Sequence, residues 1–193
     1  TSTVAGASYV DSISTHSLGS ASMTSPQDVK FNNDGTKMFV AADGGDAILE
    51  YTLSTGYDIS TASYDSSFGI WTQDRNPRAL AFNNDGTKMF VAGASGQDIN
   101  EYHLTTGFDV STASYDSNFS VSNKANSPNG LAFNSDGTKM FVTDSSGSLG
   151  SHSVDEYTLT TPFSLVDVSG EHTGDVIDSS NTSTRDTDVD VET

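Results

Sequence analysis

The sequence predicts an all-β fold of about three four-stranded antiparallel blades, and three observations predict it. The first is a repeat: Phe31, Phe82 and Phe133 stand 51 residues apart, as do Met38, Met89 and Met140. Between Pro26–Phe68 and Pro77–Phe119, 28 of 43 aligned positions are identical, which is duplication and not coincidence. The second is composition. The 193 residues include 31 Ser, 23 Thr and only four Pro, with 34% apolar residues, a mixture that suits short strands and polar turns better than helices. The third is the alternation inside each repeat, which has a period of two.

Each element follows from its residues. The first strand, Ala79–Phe82, is entered from Pro77, whose missing N–H is tolerable only where a strand begins. Asn83-Asn84-Asp85-Gly86 makes a tight turn, because Asn and Asp bond back to the local backbone and Gly86 accepts a positive φ. Lys88–Ala92 is apolar at consecutive positions, so this second strand is covered on both faces. After a Gly/Ser/Asp loop, Ile99–Leu104 forms the third. The fourth, Thr112–Val121, puts Ala113, Tyr115, Phe119 and Val121 on one face and Thr112, Ser114, Asp116, Asn118 and Ser120 on the other, as a half-exposed outer strand does. Blades are expected at about 25–70, 76–121 and 127–168, with a partial blade at 5–20 and an acidic polar tail at 169–193. The partial blade rests on Ala7–Ile13, which echoes the outer-strand segment Ala62–Phe68 and supplies an N-terminal outer strand.

Four-stranded units, dry inside and wetter outside, are what a β-propeller-like fold stacks face to face. The run Pro-Asn-Gly-Leu-Ala-Phe-Asn-Ser-Asp-Gly-Thr-Lys-Met-Phe-Val142 resembles the core of the NHL and YVTN-type propeller repeats. The likeness covers roughly residues 5–168. It implies architecture and hardly touches activity, because propellers host binding, scaffolding and catalysis alike. Four blades of this period need more residues than the chain has. The expectation is an open arc: part of a larger ring or one of two chains that complete one, with a degenerate fourth blade built from the tail as the other solution.

Charge and composition exclude several classes. The net charge of −18 repels nucleic acid and anionic lipid. No apolar run is long enough for a membrane helix, and no cysteine is present for disulfides, thiol catalysis or thiolate metal sites. The chain opens on Thr1 without a basic-then-apolar leader, and is expected to be a processed product or a piece of something longer. Its acidic, Ser/Thr-rich surface fits an extracellular, cell-surface or virion-associated setting.

The Asn-Asx-Asp-Gly turns at Asp34, Asp85 and Asp136 carry oxygens that calcium takes, but they lack the spacing of a calcium loop, and a blade needs such a turn every time. No cofactor is therefore expected, with calcium the one ion kept in view. Glu50, Glu101 and Glu156 each precede a Tyr, and their repetition argues for a blade-building hydrogen bond to a neighbouring turn, not for catalysis. His16, His103, His152 and His172 fall at non-equivalent positions, which argues against zinc. No residue is assigned a catalytic role and none a metal.

Where repeats differ, function has room. The loops single out Trp71, Asp74 and Arg75, an aromatic-plus-Arg set of the kind enriched at binding hot spots, together with Asp43, Asp46 and Asp144. The reading is a non-enzymatic extracellular module for structural assembly or adhesion. Its partners would be further copies through the blade edges, the rest of a longer chain, or a surface glycan or protein. The alternatives are a lactonase-like propeller hydrolase that depends on calcium and a sugar-binding lectin.

Overall fold

The computed structural model describes residues 8–14, 24–145, 153–166 and 175–177. Twelve strands make three antiparallel four-stranded sheets in strict chain order. Blade one holds β1 (Pro26–Phe31), β2 (Lys37–Ala42), β3 (Ala47–Leu53) and β4 (Ala62–Gly69). Blade two holds β5 (Pro77–Phe82), β6 (Lys88–Gly93), β7 (Asp98–Leu104) and β8 (Ala113–Ser120). Blade three holds β9 (Pro128–Phe133), β10 (Lys139–Asp144), β11 (Val154–Thr158) and β12 (Asp175–Ile177).

The repeat is kept in the ladders. Phe31 pairs with Met38, Phe82 with Met89 and Phe133 with Met140, because the same turn closes each hairpin. In that turn the Asp85 carboxylate accepts from the Thr87 N–H at 3.0 Å and from its hydroxyl at 2.6 Å, and Gly86 sits at φ +74°. The hydroxyl bond holds Asp34, Asp85 and Asp136 below the usual carboxylate range. β6 is buried on both faces, as its unbroken apolar run requires, whereas β4 alternates along its whole length.

Successive blades stack through one recurring contact. Phe39, Ala41 and Ile48 of blade one share a core with Leu80, Met89, Val91, Tyr102 and Val110 of blade two. Phe90, Ala92 and Ile99 of blade two repeat this with Leu131, Met140, Val142, Tyr157 and Leu165 of blade three. The ring pairs Phe39–Phe82 and Phe90–Phe133 both have centroids 4.6 Å apart.

Two ends depart from the repeat. Residues 8–13 of the expected outer strand Ala7–Ile13 are in no strand, and Ile13 packs against the core of blade one. Ala7 lies outside the described residues. The outer place of blade three is filled by β12, from within the segment expected as a polar tail.

Candidate functional site

Among the six loop residues singled out by sequence, Trp71, Asp74 and Arg75 line one cleft of about 390 Å³ with Gln73, Ser95 and Gly96. Trp71 is 59% exposed. Asp74 is buried, and its carboxylate accepts from the Asn76 N–H at 2.6 Å and the Gly96 N–H at 2.5 Å. It therefore ties the loop before β5 to the loop after β6 and fixes the shape of the cleft it lines. Asp43 and Asp46 bracket the turn between β2 and β3. Burial and the neighbouring Asp43 push the Asp46 carboxyl up, and Arg75 pulls it back, which places this turn within electrostatic reach of the cleft. Asp144 is apart from them: it accepts from the Ser127 N–H at 3.0 Å and closes the loop before β9.

A second set was missed by sequence reasoning. The first strands β1, β5 and β9 lie beside one another, as the inner strands of stacked blades do, so their edges form the inner wall of the arc. Each carries a one-residue bulge directly after its opening proline, and the bulged residues are Gln27, Arg78 and Asn129. A bulge re-aims a side chain out of the pleat. The Arg78 Nη1 donates to Gln27 Oε1 at 3.0 Å across the two blades. Beside them the Asp28 carboxylate accepts from Lys30 Nζ at 2.8 Å and from the Leu80 N–H at 2.9 Å. Further along the wall, Lys30 borders a cleft of about 370 Å³ that runs past Ala81 and Phe82 to Ala132 and Phe133, touching all three blades.

A signal for this set was present. Within Pro26–Phe68 against Pro77–Phe119, Gln27–Lys30 against Arg78–Ala81 is the longest run of mismatches, in a strand otherwise framed by identical Pro and Phe. The strand alternation says which face a residue is on, but not that the strand's edge faces the axis.

Three of the eight cations, Lys37, Lys88 and Lys139, are held by Glu50, Glu101 and Glu156 at equivalent places. Each Glu of the first two pairs also accepts an N–H from a turn of the next blade, so the repeated glutamates build blades as expected. Among the described residues, Lys30 and Arg78 are two of the four cations outside that framework, and they stand on adjacent inner strands. Among the described residues no group of three or more His, Asp or Glu is arranged to hold a metal ion.

No family model matches the chain, and no curated protein matches it. Solved structures do. A candidate 6-phosphogluconolactonase from Bacteroides fragilis aligns at TM-score 0.55 and 16% identity, over 77% of this chain and 40% of that one. The periplasmic gluconolactonase of Pseudomonas aeruginosa aligns at 0.52 and 15%, over 79% and 39%. Hydrazine synthase from Kuenenia stuttgartiensis aligns at 0.52 and 17%, over 72% and 35%. At these identities the likeness shows a β-propeller-like fold, and the chain spans about two fifths of the length of these proteins.

The comparison also corrects the functional expectation. A non-enzymatic module for assembly or adhesion was inferred from near-identical blades, yet the solved structures sharing the blade arrangement include proteins named as lactonases. The physical reason for the error is that sameness is confined to the framework. The inner strands, where a propeller can host chemistry, differ from blade to blade, so near-identity of the repeats is no argument against an enzyme.

Proposed function

We propose that the inner-strand wall is part of the substrate site of a propeller hydrolase acting on sugar-acid lactones. The observation that carries the reading is that the Arg78 guanidinium, which donates to Gln27, and the Lys30–Asp28 ion pair stand on neighbouring inner strands. The names of the structurally similar lactonases supply the reaction class by analogy of fold.

Lactone hydrolysis needs a donor for the oxygen on which charge develops and an acceptor for the proton of the attacking water. Beyond the one given to Gln27, the guanidinium donors of Arg78 have no partner among the described residues. Asp28 is an acceptor already oriented by Lys30 and the Leu80 N–H. Water adds to the acyl carbon while its proton passes to Asp28; the ester C–O bond then breaks and the ring oxygen leaves with that proton, giving the hydroxy acid. Calcium does not fit these donors, because Asp28 is engaged by an ammonium group and belongs to no group of three or more His, Asp or Glu arranged around a metal site among the described residues. No step is drawn through a metal.

The test is hydrolysis of gluconolactone and 6-phosphogluconolactone by the full chain, followed through the acid released. Arg78→Ala should lower kcat/KM about a hundredfold, as loss of an oxyanion donor does, with an unchanged circular dichroism spectrum. Turnover of both lactones no faster than in buffer would overturn the proposal.

A further inference from the structure

The contact between blades has a polar plug and socket, and among the described residues one of each is left unfilled. In blade one, Lys37 Nζ donates to the Phe108 carbonyl at 2.8 Å, and Glu50 Oε2 accepts from the Val110 N–H at 2.8 Å. Both partners lie in the turn of blade two that follows β7. Blade two repeats the arrangement on blade three: Lys88 Nζ donates to the Phe163 carbonyl at 2.8 Å, and Glu101 Oε2 accepts from the Leu165 N–H at 2.8 Å. Each Lys–Glu pair is thus a socket, and the plug is a carbonyl and an N–H two residues apart in a Gly/Pro-aromatic-polar-aliphatic turn.

Blade three carries the same socket in Lys139 and Glu156, which pair with each other. Among the described residues, no turn sits on it. The Glu156 side chain is 30% exposed, whereas Glu50 and Glu101 are at 0% and 1%. Val154, the register counterpart of the fully buried Ile48 and Ile99, is 56% exposed. At the other end, blade one presents the turn Gly56-Tyr57-Asp58-Ile59, whose Tyr57 carbonyl and Ile59 N–H match the plug atoms of Phe108 and Val110. The apolar face beside it also lacks a blade. Val29 is 49% exposed where its counterparts Leu80 and Leu131 are buried, and Phe31, Met38, Val40 and Ile59 line an open cleft of about 460 Å³ into which Ile13 reaches.

We infer that a second copy of this chain docks head to tail, with the Gly56–Ile59 turn of one copy seated on Lys139 and Glu156 of the other. The turn and socket are this chain's own, they already recognise each other's counterparts twice within it, and the apolar faces around them correspond position by position. Such a contact is heterologous: it closes if the rotation allows, or continues into a string. Asp28 also lines the cleft on blade one, but none of the residues substituted below, Glu156, Ile59 and Val154, belongs to the proposed lactone site, so the two readings are tested separately.

Sedimentation of the full chain at micromolar concentrations tests it. The wild type should show mass above the 20.3 kDa of one copy. Glu156→Ala removes the acceptor from an already exposed site. Ile59→Pro removes the donor N–H together with the aliphatic side chain that borders the cleft, while Ile59 opens a short 3-10 turn, where proline fits. Each should weaken association at least tenfold, the scale of a hydrogen bond to a charged acceptor, and Val154→Asp should do the same from the apolar side. An equimolar mixture of Glu156→Ala and Ile59→Pro should associate better than either alone, because the intact turn of one meets the intact socket of the other. A wild type that stays monomeric, variants that associate as it does, or a mixture no better than its components would each overturn the inference. Unchanged urea melts of Glu156→Ala and Val154→Asp at a concentration where all are monomeric separate this from misfolding.

Discussion

Replacing Glu50 by Ala tests whether the Lys–Glu pairs hold the blades together. In the native chain the Glu50 carboxylate is fully buried, binds Lys37 and accepts the Val110 N–H from the next blade. Burial pushes its pKa up in spite of the lysine, so part of the gain from these contacts is already offset by desolvation. Truncation leaves the Val110 N–H without its acceptor, which costs about 1–3 kcal/mol, and removes a charge-assisted bond of similar size. Lys37 is 28% exposed and recovers some hydration. The balance is a loss of about 3 kcal/mol, or a fall of roughly 1.5 M in the urea midpoint if m is about 2 kcal/mol/M. Glu156→Ala, the same substitution at the half-open third socket, should cost under about 1 kcal/mol in the monomer, as exposed pairs do. Equal midpoint shifts for the two variants would refute the argument, because the residues are identical and only the presence of the next blade differs.

Two further outcomes follow from the turns and the buried carboxylates. Gly86→Val should destabilise by about 2–3 kcal/mol in urea melts, since a β-branched residue is strained at φ +74° and its Cβ would run into the Phe108 ring; an unchanged midpoint would remove that account of the hairpin. The pH dependence has two limbs. Glu50 and Asp98 have native pKa values raised by burial, so the folded state binds protons first and stability should rise as pH falls from neutral into the ordinary carboxylate range. Asp34, Asp85 and Asp136 have lowered values, so their contribution, present above the unfolded pKa, is lost as pH falls further. Thermal melts should peak on the acid side of neutrality; a melting temperature that falls monotonically from pH 8 downward would contradict the raised pair.

The blades were legible in the sequence because their determinants are local. Gly86 in an Asn-Asn-Asp-Gly turn, the unbroken apolar run Lys88–Ala92 and the alternation of the outer strand each act within a few residues. The loop set was legible in part: Trp71, Asp74 and Arg75 do meet in one cleft, but the inward turn of Asp74 depends on the Gly96 N–H, which only the fold brings near. The Gln27–Arg78 contact spans 51 residues and depends on two bulges, which leave no pattern in the alternation. The fourth strand of blade three could not be read because β12 lies beyond the last recognisable copy, in a segment whose composition gives no strand signal of its own.

The charge distribution bears on which lactone the proposed site would take. A chain of net charge −18 surrounds its inner strands with a field that repels anions at long range and weakens only as salt screens it. The local cations do not reverse this: Lys30 is neutralised at 2.8 Å by Asp28, and Arg78 is one charge on a polar wall. A phosphorylated lactone would have to cross the outer field for a single uncompensated guanidinium, whereas a neutral sugar lactone crosses it without cost and meets the same donor. The proposed chemistry therefore favours the unphosphorylated substrate. Of the two lactones in the assay, gluconolactone should give the higher kcat/KM at low ionic strength, and the gap should narrow as salt is added.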